Sequence, residues 1–348
     1  MANTQSILIG SYTQSIGAMT GEGKGISVVE LNTETGELLN LELLSDSPNP
    51  AYLTLADERL FSINEFASGE GAGITVFERV DKQLTLTDHL SIQGDYPCHV
   101  AMNNDGSHVI ASNYGSGNFS LFSHNEGKIE LIHTIQHHGT GPNADRQEGP
   151  HAHFACFLNH TSELVTVDLG IDRVSFYPLT PSGIDESNAQ HVSTPPGSGP
   201  RHLILTKDEK TAYVLCELSE EVLVLKKEES EQWALVSKIA PFDPHNEGGA
   251  AAAIRLSPDE KFVYVSGRQQ SVIVCLKVES DGSLTAVQTV SSGGLNPRDF
   301  NITADGKWLI SANQDTNNVI SYRRNAESGE LEATGYSIST GNPVCIAF

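Results

Sequence analysis

A unit of roughly 50 residues recurs along almost the whole chain, and a period of that length restricts the fold to a repeat architecture. Each unit opens with a proline, a small or polar residue and an apolar strand. The instances are Pro50-Ala51-Tyr52-Leu53, Pro97-Cys98-His99-Val100, Pro150-His151-Ala152-His153, Pro200-Arg201-His202-Leu203, Pro297-Arg298-Asp299-Phe300 and Pro343-Val344-Cys345-Ile346. Near Ala252-Ala253-Ile254 the strand persists without the proline. A turn then leads into a second apolar strand that closes on a polar pair: Asn64-Glu65, Asn113-Tyr114, Asp168-Leu169, Glu217-Leu218, Gly267-Arg268 or Asn313-Gln314. A third strand follows, and a weaker fourth comes after turns such as Gly282-Ser283-Leu284 and Gly329-Glu330-Leu331. Short Val/Ile/Tyr/Phe-rich runs separated by Asp-Gly and Pro-Asp turns are strands, and four per unit make a propeller blade.

Six complete units lie between Pro50 and Leu331, and the two ends supply a seventh. Ile7-Leu8-Ile9-Gly10 and Ile26-Ser27-Val28-Val29 match second and third strands, while Val344 to Phe348 matches a first strand. The predicted fold is all-β: one seven-bladed β-propeller domain over 1–348, with four antiparallel strands per blade. The C-terminal strand pairs with the N-terminal strands, which closes the ring and removes exposed edges.

Formal net charge is −23, with 44 acidic against 21 basic residues. That balance argues against nucleic acid and against an anionic membrane surface as partners. Cys98, Cys156, Cys216, Cys275 and Cys345 are widely spaced and odd in number, which points to buried free thiols. Met1 to Gly10 shows no basic segment followed by a long apolar stretch, and no run of 18 apolar residues occurs. The expected compartment is the cytoplasm. Nothing in the pattern specifies an oligomer.

In each blade the first two strands form an antiparallel hairpin, so the start of the first and the end of the second share one sheet edge. The proline element and the closing polar pair therefore meet at one end of the propeller. This gathers His99, His151, His153, Arg201, His202, Arg298, Glu65, Tyr114, Asp168, Glu217, Arg268 and Gln314 around one mouth. Of ten arginines, Arg146, Arg201, Arg268 and Arg298 lie in or beside these elements. In so acidic a chain that concentration suggests an anion site, since guanidinium matches carboxylate and phosphate in two-point fashion. The competing expectation is that each Arg braces a loop by pairing with an acid such as Glu148, Glu217 or Asp299. The longest irregular stretch, His137 to Gly149, has the length of a functional loop.

His151 and His153, two apart on a strand, are expected to share a face. With His99 and His202 they supply imidazole donors, but no carboxylate stands at a metal-ligand spacing, so no metal is expected. The Gly-rich stretches Gly21 to Gly25 and Gly69 to Gly73 precede strands rather than helices and are not nucleotide-binding loops.

These residues carry a resemblance over essentially the whole chain. Gly10-Ser11-Tyr12-Thr13, Pro97-Cys98-His99, Asn113-Tyr114-Gly115-Ser116-Gly117, Arg146-Gln147, Pro150-His151-Ala152-His153, Asp168-Leu169-Gly170-Ile171-Asp172, Pro196-Gly197-Ser198-Gly199-Pro200-Arg201-His202, Glu217-Leu218 and Pro297-Arg298 resemble the seven-bladed propeller lactonase family. That family includes propeller-type 6-phosphogluconolactonases and carboxy-cis,cis-muconate cyclases. The resemblance implies a cofactor-free site on His151 or His153, Arg201, Glu217 and Arg268, with Glu65, His99, Tyr114, Arg146, Gln147, His202, Arg298 and Gln314 as substrate contacts. It also marks one departure: Gly267 stands where the family usually has Asn.

Lactone hydrolysis needs a base for water, a donor for the oxyanion and an acid for the leaving alkoxide. Glu217 or His153 is a candidate base, Arg201 an oxyanion or anion ligand, and Arg268, Arg298 and Arg146 ligands for phosphate or carboxylate. The leading expectation is hydrolysis of a sugar lactone, 6-phosphogluconolactone first among them. The same parts suit a carboxymuconate cycloisomerase, and a propeller can also serve only to bind a ligand or protein.

Overall fold

The structure is a computed structural model that describes residues 3–17, 19–56, 58–180, 183–243 and 249–348. Seven antiparallel sheets follow one another along the chain, and the fold is a seven-bladed β-propeller. Every predicted first, second and third strand is present. The first strands are Pro50–Ala56, Pro97–Met102, Ala152–Phe157, Pro200–Leu205, Ala251–Leu256, Pro297–Ile302 and Pro343–Ala347. The last of these pairs antiparallel with Thr4–Ser11, which continues into Ile26–Asn32 and Leu38–Ser45. Chain ends thus share one blade, as the sequence predicts.

One blade departs from the four-strand plan. Its fourth position is filled by two pieces, Gly183–Ile184 and Gln190–Ser193, both paired with Arg173–Thr180. Between them the three-residue 3-10 turn Glu186–Asn188 is capped by the Asp185 carboxylate, which accepts the Ser187 and Asn188 N–H groups. Among the described residues it is the only helix, and none is long and apolar enough to cross a membrane.

The chain divides into two compact units: Met1–Pro50 with Glu220–Val224 and Ser237–Phe348, and Ala51–Ser219 with Leu225–Val236. In each, strand alternation places one row of side chains against the next blade. In the first unit Ile7, Ile9, Val29, Leu31 and Ile346 pack with Trp308, Ile310 and Val319. In the second, Ile110, Phe119 and Leu121 pack with Ala155, Leu164 and Tyr177.

Trp308 anchors the closing blade of the first unit. Its indole N–H donates to the Thr33 carbonyl at 3.1 Å, and its ring fills the space above Gly36. Gly36 has φ +81°, and an added Cβ would lie 2.4 Å from Trp308 Cζ3. Trp308→Ala is expected to destabilise by about 3–5 kcal/mol through the cavity it leaves. Gly36→Ala is expected to cost about 1 kcal/mol or more through strain and overlap. Urea denaturation checks both; wild-type stability in either variant would contradict this packing role.

Candidate active site

The hairpin argument holds within each sheet. Pro97 pairs with Asn113, Pro200 with Cys216 and Pro297 with Asn313, so the proline element and the end of the second strand lie side by side. The register then slips by one residue. Pro97 and His99 face Asn113 and Ser112, which are consecutive, leaving Cys98 as an extra residue. The same bulge falls on His153, Arg201 and Arg298. A bulge re-aims a side chain and breaks the alternation of a strand, so His153, Arg201 and Arg298 leave the alternation of their strands. It also corrects the expectation that His151 and His153 share a strand face. His151 precedes Ala152–Phe157, and His153 is the bulged position.

Eight of the expected site residues of the Ala51–Ser219 unit come together through direct contacts. Arg201 and Glu217 are buried, and Arg201 Nε donates to Glu217 Oε2 at 3.0 Å. The other carboxylate oxygen, Oε1, accepts from Arg146 Nη2 at 2.5 Å. One carboxylate therefore bridges two guanidinium groups of different exposure: the Arg201 side chain is 4% exposed and that of Arg146 40%. Arg201 Nη1 donates to His202 Nε2 at 3.1 Å, which places the lone pair of His202 on that nitrogen. The His202 ring lies 5.3 Å from His153, 5.7 Å from His99 and 5.4 Å from Phe154, centroid to centroid.

Tyr114 joins this cluster to the two imidazoles of the His-x-His element. His151 stacks on it at 4.4 Å, and His153 meets it edge-on at 5.6 Å. Arg146 Nη2 also approaches the Tyr114 hydroxyl at 3.4 Å. Burial raises the Tyr114 pKa above its usual value, against a smaller opposing effect of Arg146, so its hydroxyl stays neutral near pH 7. For Arg146, burial works against the charge, but the Glu217 carboxylate outweighs it and the pKa rises. His151 Nδ1 meets the Tyr114 carbonyl at 3.0 Å and Nε2 meets Glu148 Oε1 at 3.2 Å. A carbonyl only accepts, so Nδ1 carries a proton.

Several assignments change. Gln147 is fully buried, and its amide donates to the Leu169 carbonyl and to Asp172 Oδ1, both at 2.8 Å. These bonds hold the 137–149 loop to the 169–172 turn, and the substrate contact expected of Gln147 rests on the sequence resemblance alone. The loop-bracing expectation holds for Arg146 and Arg201 through Glu217, but Glu148 takes His151, and Asp299 takes Arg255 at 2.7 Å. Glu65 is buried just beyond Arg59–Asn64.

Arg268, Arg298 and Gln314 belong to the other unit. Arg268 Nε donates to the Ala250 carbonyl at 3.0 Å. Gly267 beside it has a physical reason: a Cβ there would lie 2.8 Å from the Phe242 ring. Arg298 lies over the Tyr12 ring at 5.3 Å, and buried Gln314 donates to Asp315 at 3.1 Å. Among the described residues no three His, Cys, Asp or Glu side chains are grouped as metal ligands, and all five cysteines are free thiols.

Residues 6–348 match the family model for the lactonases with a 7-bladed beta-propeller. The chain is 34% identical to the 6-phosphogluconolactonase of Bacillus subtilis, over 98% of this chain and 97% of that one. The periplasmic gluconolactonase of Pseudomonas aeruginosa superposes with a TM-score of 0.91 at 26% identity, covering 99% of both chains. A protein from Lactobacillus plantarum superposes with a TM-score of 0.90 at 29% identity, again over 99% of both.

The doubly paired carboxylate makes a stability prediction. Glu217→Ala leaves Arg201 buried without that counter-charge and is expected to cost about 3–5 kcal/mol. Arg146→Ala removes the solvent-facing partner and is expected to cost about 1 kcal/mol or less. Urea denaturation at neutral pH separates the two, and equal losses would contradict the unequal burial of the pair.

Proposed function

The chain belongs to the seven-bladed β-propeller lactonase family, and from that premise we propose that it hydrolyses a phosphorylated or acidic sugar lactone, 6-phosphogluconolactone first among candidates. One observation carries the reading: buried Arg201 and half-exposed Arg146 share Glu217 beside a cluster of imidazoles. Arg201 supplies a preorganised donor for a developing oxyanion in a water-poor site. Arg146 is the arm that can turn from Glu217 to an incoming anion. His153, set off its ladder at the bulge and edge-on to Tyr114, is the proposed base.

In this scheme His153 takes a proton from water, and the resulting hydroxide adds to the lactone carbonyl. The carbonyl oxygen becomes the oxyanion, which accepts hydrogen bonds from Arg201. Collapse expels the ring oxygen, which receives the proton from His153, leaving an alcohol and a carboxylic acid that ionises to the carboxylate by releasing its proton to solvent. The anion-binding roles expected of Arg268 and Arg298 rest on the sequence pattern alone. The proposed compartment is the cytoplasm, in keeping with five cysteines that form no disulfide.

The test measures purified protein on 6-phosphogluconolactone with spontaneous hydrolysis subtracted, on the unphosphorylated lactone, and on carboxymuconate. Lactone turnover is expected, with kcat falling about 100-fold or more in Arg201→Ala and by roughly 100-fold in His153→Gln. Turnover of carboxymuconate alone would replace the reading with cycloisomerisation. Inactivity on all three would overturn the enzymatic reading.

A further inference from the structure

The Asp168-Leu169-Gly170-Ile171-Asp172 turn ends in two carboxylates, and both are buried. Asp168 Oδ1 accepts the His151 N–H at 2.8 Å and the Gly170 N–H at 2.9 Å. Its Oδ2 meets His137 Nδ1 at 2.7 Å, and His137 Nε2 meets the Tyr177 hydroxyl at 2.9 Å. Asp172 Oδ1 accepts from Gln147 Nε2 at 2.8 Å, from the Gly199 N–H at 2.8 Å and from the Ser198 hydroxyl at 3.3 Å. Its Oδ2 accepts the Gly197 N–H at 2.6 Å. Asp172 itself has φ +50°, a left-handed conformation that Asp tolerates better than most residues.

These bonds end within four residues of the candidate chemistry. Gln147 is next to Arg146. Gly199 lies two residues before Arg201, and its carbonyl accepts the Glu217 N–H at 2.7 Å. The Ser198 carbonyl accepts the Leu218 N–H at 3.2 Å. Asp172 therefore ties the backbone beside Arg146 to the backbone beside Arg201 and Glu217. Asp168 ties down His151, where the His-x-His segment enters its strand. The 137–149 loop has no strand of its own, so its order depends on such bonds.

We infer that this turn is a positioning element: Asp172 sets the spacing of the two arginines about Glu217, and Asp168 sets the start of the segment bearing both imidazoles. Neither carboxylate touches substrate. A misplacement of about 1 Å in an active site can cost about 100-fold in rate, so four bonds on one carboxylate have a catalytic consequence beyond stability. The kinetic part of this inference rests on the lactonase reading; the geometric part does not.

The test uses the full chain with Asp172→Asn, Asp168→Asn and Gln147→Met, followed by lactone kinetics and amide hydrogen exchange. Gln147→Met keeps both Gly N–H bonds to Asp172, so it reports on the loop even if Asp172→Asn fails to fold. Gln147→Met is expected to raise KM for the phosphorylated lactone about tenfold with a smaller change in kcat. Asp168→Asn is expected to lower kcat with a smaller change in KM, and Asp172→Asn to change both. Exchange in 139–149 should quicken in Gln147→Met and Asp172→Asn, and in 195–199 for Asp172→Asn alone. If all three variants lose activity only in proportion to folded fraction, with KM and kcat unsplit, the turn is merely structural and the inference is overturned. If the wild type hydrolyses no lactone, the functional reading fails, yet exchange still decides the positioning claim: unchanged protection of 139–149 and 195–199 would refute it.

Discussion

An extra residue in the first strand of a blade is the constraint on which the candidate site depends. A regular antiparallel ladder alternates its side chains between two faces, and each face here is packed against a neighbouring blade. A buried arginine on such a face needs polar partners. The bulge lets Arg201 and His153 leave the alternation while Pro200 and His202, or Ala152 and Phe154, keep their pairings. The ladder stays intact on both sides, and the polar residue is delivered where polar partners exist.

Burying Arg201 demands a counter-charge, and Glu217 supplies it from the end of the paired strand. The second guanidinium on the same carboxylate comes from the long loop, 71 positions away in sequence. This asymmetry separates two roles. Arg201 is held between Glu217 and His202 in a dry setting, where a fixed donor is electrostatically strongest. Arg146 keeps contact with solvent and can exchange partners at modest cost.

Much of the fold was legible because propeller strands are short, apolar and punctuated by Asp-Gly and Pro-Asp turns, and because the terminal segments fit the missing slots of a repeat. The convergence of Tyr114, His151, His153, Arg201, His202 and Glu217 followed from hairpin geometry alone. The bulges were not legible, since a register slip is defined only against the partner strand. Ion-pair partners were legible only in part: Glu217 takes Arg146 and Arg201 as expected, but Asp299 adjoins Arg298 in sequence yet pairs with Arg255, and Glu148 sits near Arg146 yet meets His151. Gln147 is expected as a ligand contact through the family resemblance, and the structure adds that its two donor bonds tie it to the 169–172 turn. The Asp-Leu-Gly-Ile-Asp run stood in the sequence as a motif, but only three-dimensional contacts reveal what its carboxylates hold.

A crystal structure with 6-phosphogluconate bound tests the central claim most directly. The account predicts product carboxylate oxygens within hydrogen-bonding distance of the Arg201 guanidinium, His153 beside the freed hydroxyl, and Arg146 turned from Glu217 to the phosphate. Product bound away from Arg201, or bound with the Arg146–Glu217 contact unchanged and the phosphate elsewhere, would contradict it.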